Sequence, residues 1–126
     1  MAKKQVTSGG APAPSGAYSQ GIVAGDFLFL SGQGPFDTNG DLIDGSFKNE
    51  VRQVLDNLAA VAAEVGRTLA DAVRVGVYLD DLTNFGVMDA IYRETFPEPR
   101  PARTTIETPL DGFGIEVDAV IYIGGH

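Results

Sequence analysis

GIVAGDFLFLSG, residues 21–32, predicts two β-strands joined by a tight turn at Ala24-Gly25-Asp26. The second strand is apolar at four successive positions, from Phe27 to Leu30. Because neighbouring side chains of a strand point to opposite faces of the sheet, these residues need burial on both faces. The stretch therefore predicts a sheet that is covered by other protein on each side.

An amphipathic helix is predicted after this hairpin, over about residues 47–65. Its apolar residues recur with the 3.6-residue period and form a single stripe. They are Phe47, Val51, Val54, Leu55, Leu58, Val61, Ala62 and Val65. Gly66 is the natural end of the helix, because glycine readily adopts the left-handed conformation that commonly terminates helices.

A second helix is predicted over about residues 82–96, with Asp81 as its N-terminal cap. Its apolar stripe contains Phe85 and Tyr92, and Asp89 lies on the stripe between them. A carboxylate on a core-facing helix surface is costly unless it meets a hydrogen-bond donor. Asp89 is therefore either at an edge of the stripe or a residue of a functional site.

Two further strands are predicted beyond the first helix. Residues 73–79 alternate between apolar and other side chains, and residues 115–123 do the same. One face of the last strand is apolar, whereas the opposite face starts with the acidic residues Glu116 and Asp118 and ends with apolar ones. Such an acidic pair is either a solvated strand edge or part of a site.

The order of strands, helix, strand, helix and strands predicts an α+β domain with two helices on one face of a single sheet. Two helices cover only one face, so the other retains part of Phe27–Leu30 together with Val120 and Tyr122. Apolar area left in water is unfavourable by roughly 25 cal/mol per Å², and exposed patches of this kind mark interfaces. We therefore expect a homo-oligomer.

Composition indicates a single domain, residues 1–126, whose first 14 residues are expected to form a loosely held arm. Seventeen acidic against nine basic residues give a net charge of -8, which repels nucleic acid and anionic membranes. No apolar run is long enough to span a bilayer. The absence of cysteine excludes disulfides and thiolate chemistry. We expect a cytoplasmic protein that binds neither nucleic acid nor membranes.

The segment Asp37-Thr38-Asn39-Gly40-Asp41 has the alternating oxygen ligands with which a calcium loop begins. The twelfth position of such a loop would be Lys48 instead of the required bidentate glutamate. We therefore predict an Asn-Gly turn at this segment and no metal site.

Arg103 stands where a proline-spaced segment, residues 97–102, gives way to a strand-like run, residues 104–107. Each proline fixes its own φ and keeps the preceding residue extended, so the backbone enters the strand along a stiff path. This stiff backbone limits the directions in which the Arg103 guanidinium can point. Arg103 is either a surface arginine at the start of a strand or a group that binds a carboxylate.

Six short motifs carry a resemblance to a known family. They are Ser15-Gly16-Ala17-Tyr18-Ser19-Gln20, Ser31-Gly32-Gln33, Leu55-Asp56-Asn57-Leu58, Val77-Tyr78-Leu79, Pro101-Ala102-Arg103 and Ile115-Glu116-Val117. Their order and spacing resemble those of the reactive-intermediate imine/enamine deaminase family, also called the YjgF/RidA family. The resemblance covers nearly the whole chain, from about Ala13 to Ile123.

This resemblance implies a chorismate-mutase-like fold and a homotrimer with sites between its subunits. It implies hydrolysis of 2-imino and 2-enamino acids, such as 2-iminobutanoate and 2-iminopropanoate, to 2-oxo acids and ammonia, without metal or cofactor. By resemblance, Arg103 binds the substrate carboxylate and Glu116 lies near the attacking water. Tyr18 and Ser31 line the pocket, with Tyr18 closing over the ligand, and Gly32 lets the ligand approach the backbone.

Three positions depart from the family pattern. Ala17 replaces a frequent proline before Tyr18, which predicts a looser loop. Thr105 replaces a frequent cysteine two residues after Arg103, which makes the substrate-binding surroundings more polar. Asp89 replaces a frequent asparagine; if it neighbours Arg103, it pairs with the guanidinium and competes with a substrate carboxylate.

Two function classes stay open on these residues. The first is the imine or enamine hydrolase, acting on a small carboxylate-bearing substrate. The second is a trimeric small-molecule-binding or regulatory protein whose deaminase activity is lost or altered. Ribonuclease activity, also attributed to the family, fits poorly because the chain is acidic and its single histidine, His126, is the last residue and is expected to be frayed.

Overall fold

The structure, a computed structural model, describes residues 2–124, so the predicted fraying of His126 lies outside the described residues. Eight main elements follow one another along residues 2–124. They are β1 (Lys4–Val6), β2 (Gly21–Ala24), β3 (Phe27–Gln33), α1 (Phe47–Ala63), β4 (Ala72–Leu79), α2 (Phe85–Thr95), β5 (Ala102–Glu107) and β6 (Ile115–Tyr122). Short 3₁₀ turns, Leu69–Asp71 and Leu82–Asn84, precede β4 and α2.

All six strands form one mixed sheet in the order β1-β2-β3-β6-β4-β5. Neighbouring strands are antiparallel except β4 and β5, which run parallel because α2 connects them as a crossover. β6 lies between β3 and β4 and places Glu116 opposite Tyr78. β5 is an edge strand, on which Arg103 lies beside Val75.

Both helices pack on the same face of the sheet, which we call the helix-covered face. α1 begins at its N-cap Ser46, whose hydroxyl accepts a hydrogen bond from the Asn49 amide. Gly66, with a φ of 73°, follows its end. The core between helices and sheet includes Leu28, Leu30, Val54, Leu58, Val61, Val75, Val77, Leu79, Met88, Phe96, Ile115, Val117 and Ile121. The predicted arrangement of two helices on one face of a single sheet is confirmed.

The opposite face of the sheet, the open face, carries Phe27, Phe29, Ile106, Glu116, Asp118, Val120 and Tyr122. Phe29 is 46% exposed and Tyr122 is 42% exposed. The rings of Phe27 and Tyr122 lie 5.7 Å apart in an edge-on arrangement and form an aromatic patch. As predicted, a single chain covers only one face of the strand that contains Phe27–Leu30.

The first 14 residues, as far as they are described, are not the loosely held arm that we predicted. β1 pairs with β2 through residues 4–6, and Val6 and Ala11 are buried. The buried side chain of Gln20 accepts a hydrogen bond from the Ser8 amide and donates to carbonyl groups of the same segment. A buried amide side chain thus holds a segment that has few apolar residues of its own.

The helix predicted over residues 82–96 is divided, because Leu82–Asn84 forms a 3₁₀ turn and α2 begins only at Phe85. Asp81 caps the 3₁₀ turn by accepting a hydrogen bond of 2.9 Å from the Thr83 amide. No helix in residues 2–124 combines the length and the apolar character that crossing a membrane requires.

The segment Asp37–Asp41 forms a turn, as predicted. Gly40 takes a φ of 83°, which few other residues adopt, and its amide donates a 2.9 Å hydrogen bond to the Asp37 carbonyl. The Asp37 carboxylate accepts hydrogen bonds from the Asn39 and Asp41 amides. Its oxygen therefore stabilises the turn.

Candidate functional site

Arg103 lies in a cavity of about 370 Å³ at the outer edge of the sheet, which we call the arginine cavity. The residues that line it are Asp89, Tyr92, Arg93, Arg100, Pro101 and Arg103. Three of these belong to α2, and the other three lie in or directly before β5. The crossover positions the cavity, because the chain leaves α2 and returns to the sheet edge at this point.

Three side chains hold the guanidinium of Arg103 in one orientation. Nη1 of Arg103 donates a hydrogen bond of 2.8 Å to Oδ1 of Asp89. The central guanidinium carbon lies 4.5 Å from the centre of the Tyr92 ring and 5.4 Å from that of Phe85. Both distances are typical of cation–π contacts. Arg103 is therefore a positioned carboxylate-binding group, and the carboxylate it binds within the chain is that of Asp89.

Asp89 is a partner of Arg103 and not an edge residue of the α2 stripe. Its second oxygen, Oδ2, accepts a hydrogen bond of 3.3 Å from Nη2 of Arg93, one helical turn later. The hydrogen bond from Arg103 is the main cause that lowers the pKa of Asp89 below its ordinary value of 3.8. Asp89 is consequently ionised at neutral pH, and the predicted pairing of Asp89 with Arg103 is present.

Two buried hydroxyl groups belong to residues that neighbour Arg103. Thr105 follows Arg103 by two positions on the same face of β5, and the Tyr92 ring lies against the guanidinium. Within residues 2–124, neither Oγ1 of Thr105 nor Oη of Tyr92 has a hydrogen-bond partner. Burial raises the pKa of the Tyr92 phenol, so it remains protonated. Buried hydroxyls normally have partners, so these two are candidates for hydrogen bonds to a ligand.

Glu116 lies in a second cavity, of about 320 Å³, which we call the glutamate cavity. Its lining residues are Pro12, Ala13, Ser15, Tyr18, Gly32, Gln33, Gly34, Phe36, Gly40, Phe113 and Glu116. A Cβ at position 32 would lie 2.5 Å from Oε2 of Glu116, so any larger residue there would displace the Glu116 carboxylate. Gly32 thus lets the carboxylate lie close to the β3 backbone.

The two carboxylates of β6 have different surroundings. Asp118 accepts hydrogen bonds from the Tyr78 hydroxyl at 3.0 Å and from the Gly76 amide at 3.1 Å. Glu116 faces the glutamate cavity, and burial, followed by the nearby charge of Asp118, raises its pKa above the ordinary value of 4.5. The acidic pair is therefore not a solvated edge, and the raised pKa of Glu116 suits a group that accepts a proton.

Tyr18 lines the glutamate cavity, whereas Ser31 supports the loop that carries Tyr18. The Tyr18 hydroxyl accepts a hydrogen bond of 3.1 Å from the Ser15 amide, which closes the loop on itself although Ala17 replaces proline. The Ser31 hydroxyl donates a hydrogen bond of 2.6 Å to the Ser19 carbonyl. Ser31 is not among the residues that line either cavity, because its hydroxyl is engaged with the backbone.

A single chain does not bring Arg103 and Glu116 together. Arg103 lies beside Val75, whose side chain is buried beneath the helices, whereas Glu116 lies beside Tyr78 on the open face. The pleat of the sheet directs the two side chains to opposite faces, and β4 separates their strands. A site that contains both groups requires Arg103 of one chain and Glu116 of another.

Sequence reasoning did not identify Arg93 and Arg100 as residues of the arginine cavity. The four-residue spacing from Asp89 to Arg93 is that of an ion pair on a helix and could have identified the first of them. Arg100 lies in the loop before β5, and no periodic pattern indicates where a loop side chain points.

Comparison with known proteins identifies the family. A model of the family named Endoribonuclease L-PSP matches residues 8–123. A RutC family protein of Pyrococcus horikoshii is 41% identical over 124 residues, which span 95% of this chain and 98% of that protein. The mitochondrial protein mmf2 of Schizosaccharomyces pombe is 34% identical over 110 residues, which span 83% of this chain and 86% of that protein.

The fold comparison agrees with the sequence comparison. The crystal structure of RidA from the Antarctic bacterium Psychrobacter sp. matches this chain with a TM-score of 0.88 and 32% identity. The match covers 95% of this chain and 99% of that chain. The chain therefore belongs to the Endoribonuclease L-PSP family, which is the YjgF/RidA family that its six motifs resemble.

Proposed function

We propose that the chain hydrolyses reactive 2-imino and 2-enamino acids, such as 2-iminobutanoate and 2-iminopropanoate, to 2-oxo acids and ammonia. The observation that carries the proposal is the position of Glu116, a partly buried carboxylate of raised pKa that faces a cavity beside the Gly32 backbone. Such a group can take a proton from a water molecule. The positioned guanidinium of Arg103 supplies the second requirement, a binding group for the substrate carboxylate.

The two requirements meet if the protein is a homotrimer with sites between its subunits. The aromatic patch of Phe27, Phe29 and Tyr122 on the open face supports an assembly, because exposed apolar side chains gain free energy when another copy of the chain buries them. In the assembly, the arginine cavity of one subunit would adjoin the glutamate cavity of its neighbour. Each site would then contain Arg103 from one chain and Glu116 and Tyr18 from the next.

Arg103 and Glu116 have the chemical properties that imine hydrolysis requires. Protonation of the imine nitrogen makes its carbon electrophilic, and water adds to this carbon while Glu116 takes a proton from the water. The resulting carbinolamine carries a C–O bond in place of the C–N π bond. When that proton returns from Glu116 to nitrogen, the C–N bond breaks and ammonia leaves with the bonding electron pair. The hydroxyl oxygen forms the C=O double bond and loses its proton to water, which leaves a 2-oxo acid.

The assembly can be tested by placing a charge on the open face. Phe29→Asp should convert a particle of three times the 13.3 kDa chain mass into a monomer, because it puts a carboxylate in the aromatic patch. The variant should also lose imine hydrolysis, because the two halves of the site separate. Light scattering coupled to gel filtration measures the mass, and Lys48→Asp on the exposed side of α1 is the control. A wild-type monomer at micromolar concentration would contradict the proposed assembly.

A second candidate function is a trimeric small-molecule-binding or regulatory protein without deaminase activity. One observation favours it: Nη1 of Arg103 is already bound to Asp89 at 2.8 Å. A substrate carboxylate must share the guanidinium with this ionised neighbour, which weakens its binding.

The Asp89→Asn variant separates the two candidates. If the protein is a hydrolase, the wild type should be active, and Asp89→Asn should lower KM for 2-iminobutanoate about fivefold with kcat little changed, since removing a partly exposed charge is worth about 1 kcal/mol. The imine is generated with an amino-acid oxidase, and its loss is followed by trapping with semicarbazide. A wild type without activity and an active Asp89→Asn variant would instead identify a binding protein.

We place the hydrolase in the cytoplasm, although the relative mmf2 is named as mitochondrial. Ribonuclease activity, which the family name mentions, is disfavoured because a net charge of -8 repels the RNA backbone.

A further inference from the structure

The arginine cavity holds more positive charge than one carboxylate requires. Three guanidinium groups, of Arg93, Arg100 and Arg103, line it together with a single carboxylate, that of Asp89. The charges of these four side chains sum to +2, and Asp89 pairs with Arg103 and Arg93 but not with Arg100. This excess lies on a chain whose net charge is -8, so the cavity is a local exception to the acidic surface and attracts anions.

Asp89 cancels only one of the three positive charges of the cavity. Each of its oxygens already accepts a hydrogen bond, one from Arg103 at 2.8 Å and one from Arg93 at 3.3 Å. Within residues 2–124, Asp89 binds Arg103 through Nη1, and the other N–H groups of the guanidinium make no hydrogen bond to a side chain. These N–H groups can bind a ligand.

Arg100 provides a second guanidinium that can bind an anion. Its contact with Glu98 is long, at 3.7 Å, and the Glu98 side chain is 83% exposed, so water screens the pair. The Arg100 side chain itself is 34% exposed and lines the cavity. The guanidinium of Arg100 is therefore available to bind a second anionic group of a ligand whose first anionic group binds Arg103.

We infer that this site selects 2-imino acids with a second carboxylate, the imines of dicarboxylic amino acids. The inference rests on the proposed function and assigns its substrate class. Arg103 binds the carboxylate next to the imine carbon, and Arg100, which lines the same cavity, binds the carboxylate at the other end. A cavity of about 370 Å³ is within the usual range for small-molecule sites. A monocarboxylate uses only one of the guanidinium groups.

A binding measurement tests the substrate class without depending on catalysis. Titration calorimetry should show 2-oxoglutarate binding at least about tenfold more tightly than 2-oxobutanoate, because the former makes one more charge-assisted contact. Arg100→Gln should remove most of this preference. Arg52→Gln, which removes an exposed positive charge from α1 outside the cavity, should leave the preference intact. Equal affinities in the wild type, or equal losses in both variants, would overturn the inference.

Kinetics separates this inference from the proposed function. The imines of glutamate and alanine, each generated with an amino-acid oxidase, should differ about tenfold in kcat/KM in favour of glutamate, and Arg100→Gln should reduce that ratio. Hydrolysis of both imines at equal efficiency would leave the proposed function standing and overturn the substrate class. Tighter binding of 2-oxoglutarate without hydrolysis of either imine would support the dicarboxylate site and refute the hydrolase.

Discussion

Replacement of Arg103 by alanine should lower kcat/KM for 2-iminobutanoate by about 100- to 1,000-fold. The variant loses the group that binds the substrate carboxylate, and it also leaves Asp89 ionised without the partner at 2.8 Å that now neutralises it. Truncating one partner of a desolvated, hydrogen-bonded charge pair, here the pair of Arg103 with the substrate carboxylate, costs about 2–5 kcal/mol. Steady-state kinetics in the imine-trapping assay measures the loss.

Two further variants identify the cause of that loss. Arg103→Ala combined with Asp89→Ala should recover about tenfold of the activity, because the carboxylate that repels the substrate is gone. Arg52→Ala, which removes an exposed arginine from α1, is the control and should be fully active. Gel filtration and far-UV circular dichroism show whether each protein is folded and assembled. An Arg103→Ala protein as active as the wild type would refute the role of Arg103.

Glu116→Gln should lower kcat by about 100- to 10,000-fold, the range in which a general base contributes to catalysis. The substitution keeps the shape of the side chain and removes its ability to accept a proton. Because Gly32 leaves room beside Oε2 of Glu116, the glutamine amide fits the same place, and folding should be preserved. Binding of a 2-oxo acid product, measured by calorimetry, should therefore change much less than kcat. A Glu116→Gln protein with unchanged kcat would exclude this role for Glu116.

The pH dependence of kcat/KM tests independently whether Glu116 acts as a general base. Glu116 must be ionised to accept a proton, so kcat/KM should fall as the pH falls through its pKa. Since burial and Asp118 raise that pKa above 4.5, the fall should lie at a higher pH than for an ordinary glutamate. Asp118→Asn should move it to lower pH, because it removes one of the two causes. The residual activity of Glu116→Gln should lack this fall, and Glu94→Gln on the exposed side of α2 should retain it.

The candidate site was only partly predictable from the sequence. Arg103 and Glu116 could be named, and the conditional prediction that Asp89 would pair with Arg103 agrees with the structure. That pairing could not be decided beforehand, because it depends on how α2 lies across the edge of the sheet. Arg100 could not be found at all, since a loop side chain belongs to no periodic pattern. Ser31 stays a predicted pocket residue whose hydroxyl, in one chain, bonds the backbone instead.

Most elements and their faces were predictable from the sequence, including the hairpin at residues 21–32, the apolar stripe of α1 and the alternation of β6, whereas β1 was missed. These features follow from backbone periodicity, which is local, and the uncovered sheet face follows from counting two helices against one sheet. Tertiary structure alone decided which side chains meet. The pairing order of the strands put Arg103 on the helix-covered face and Glu116 on the open face. Burial then set the pKa of Glu116, because desolvation depends on atoms that are distant in the sequence.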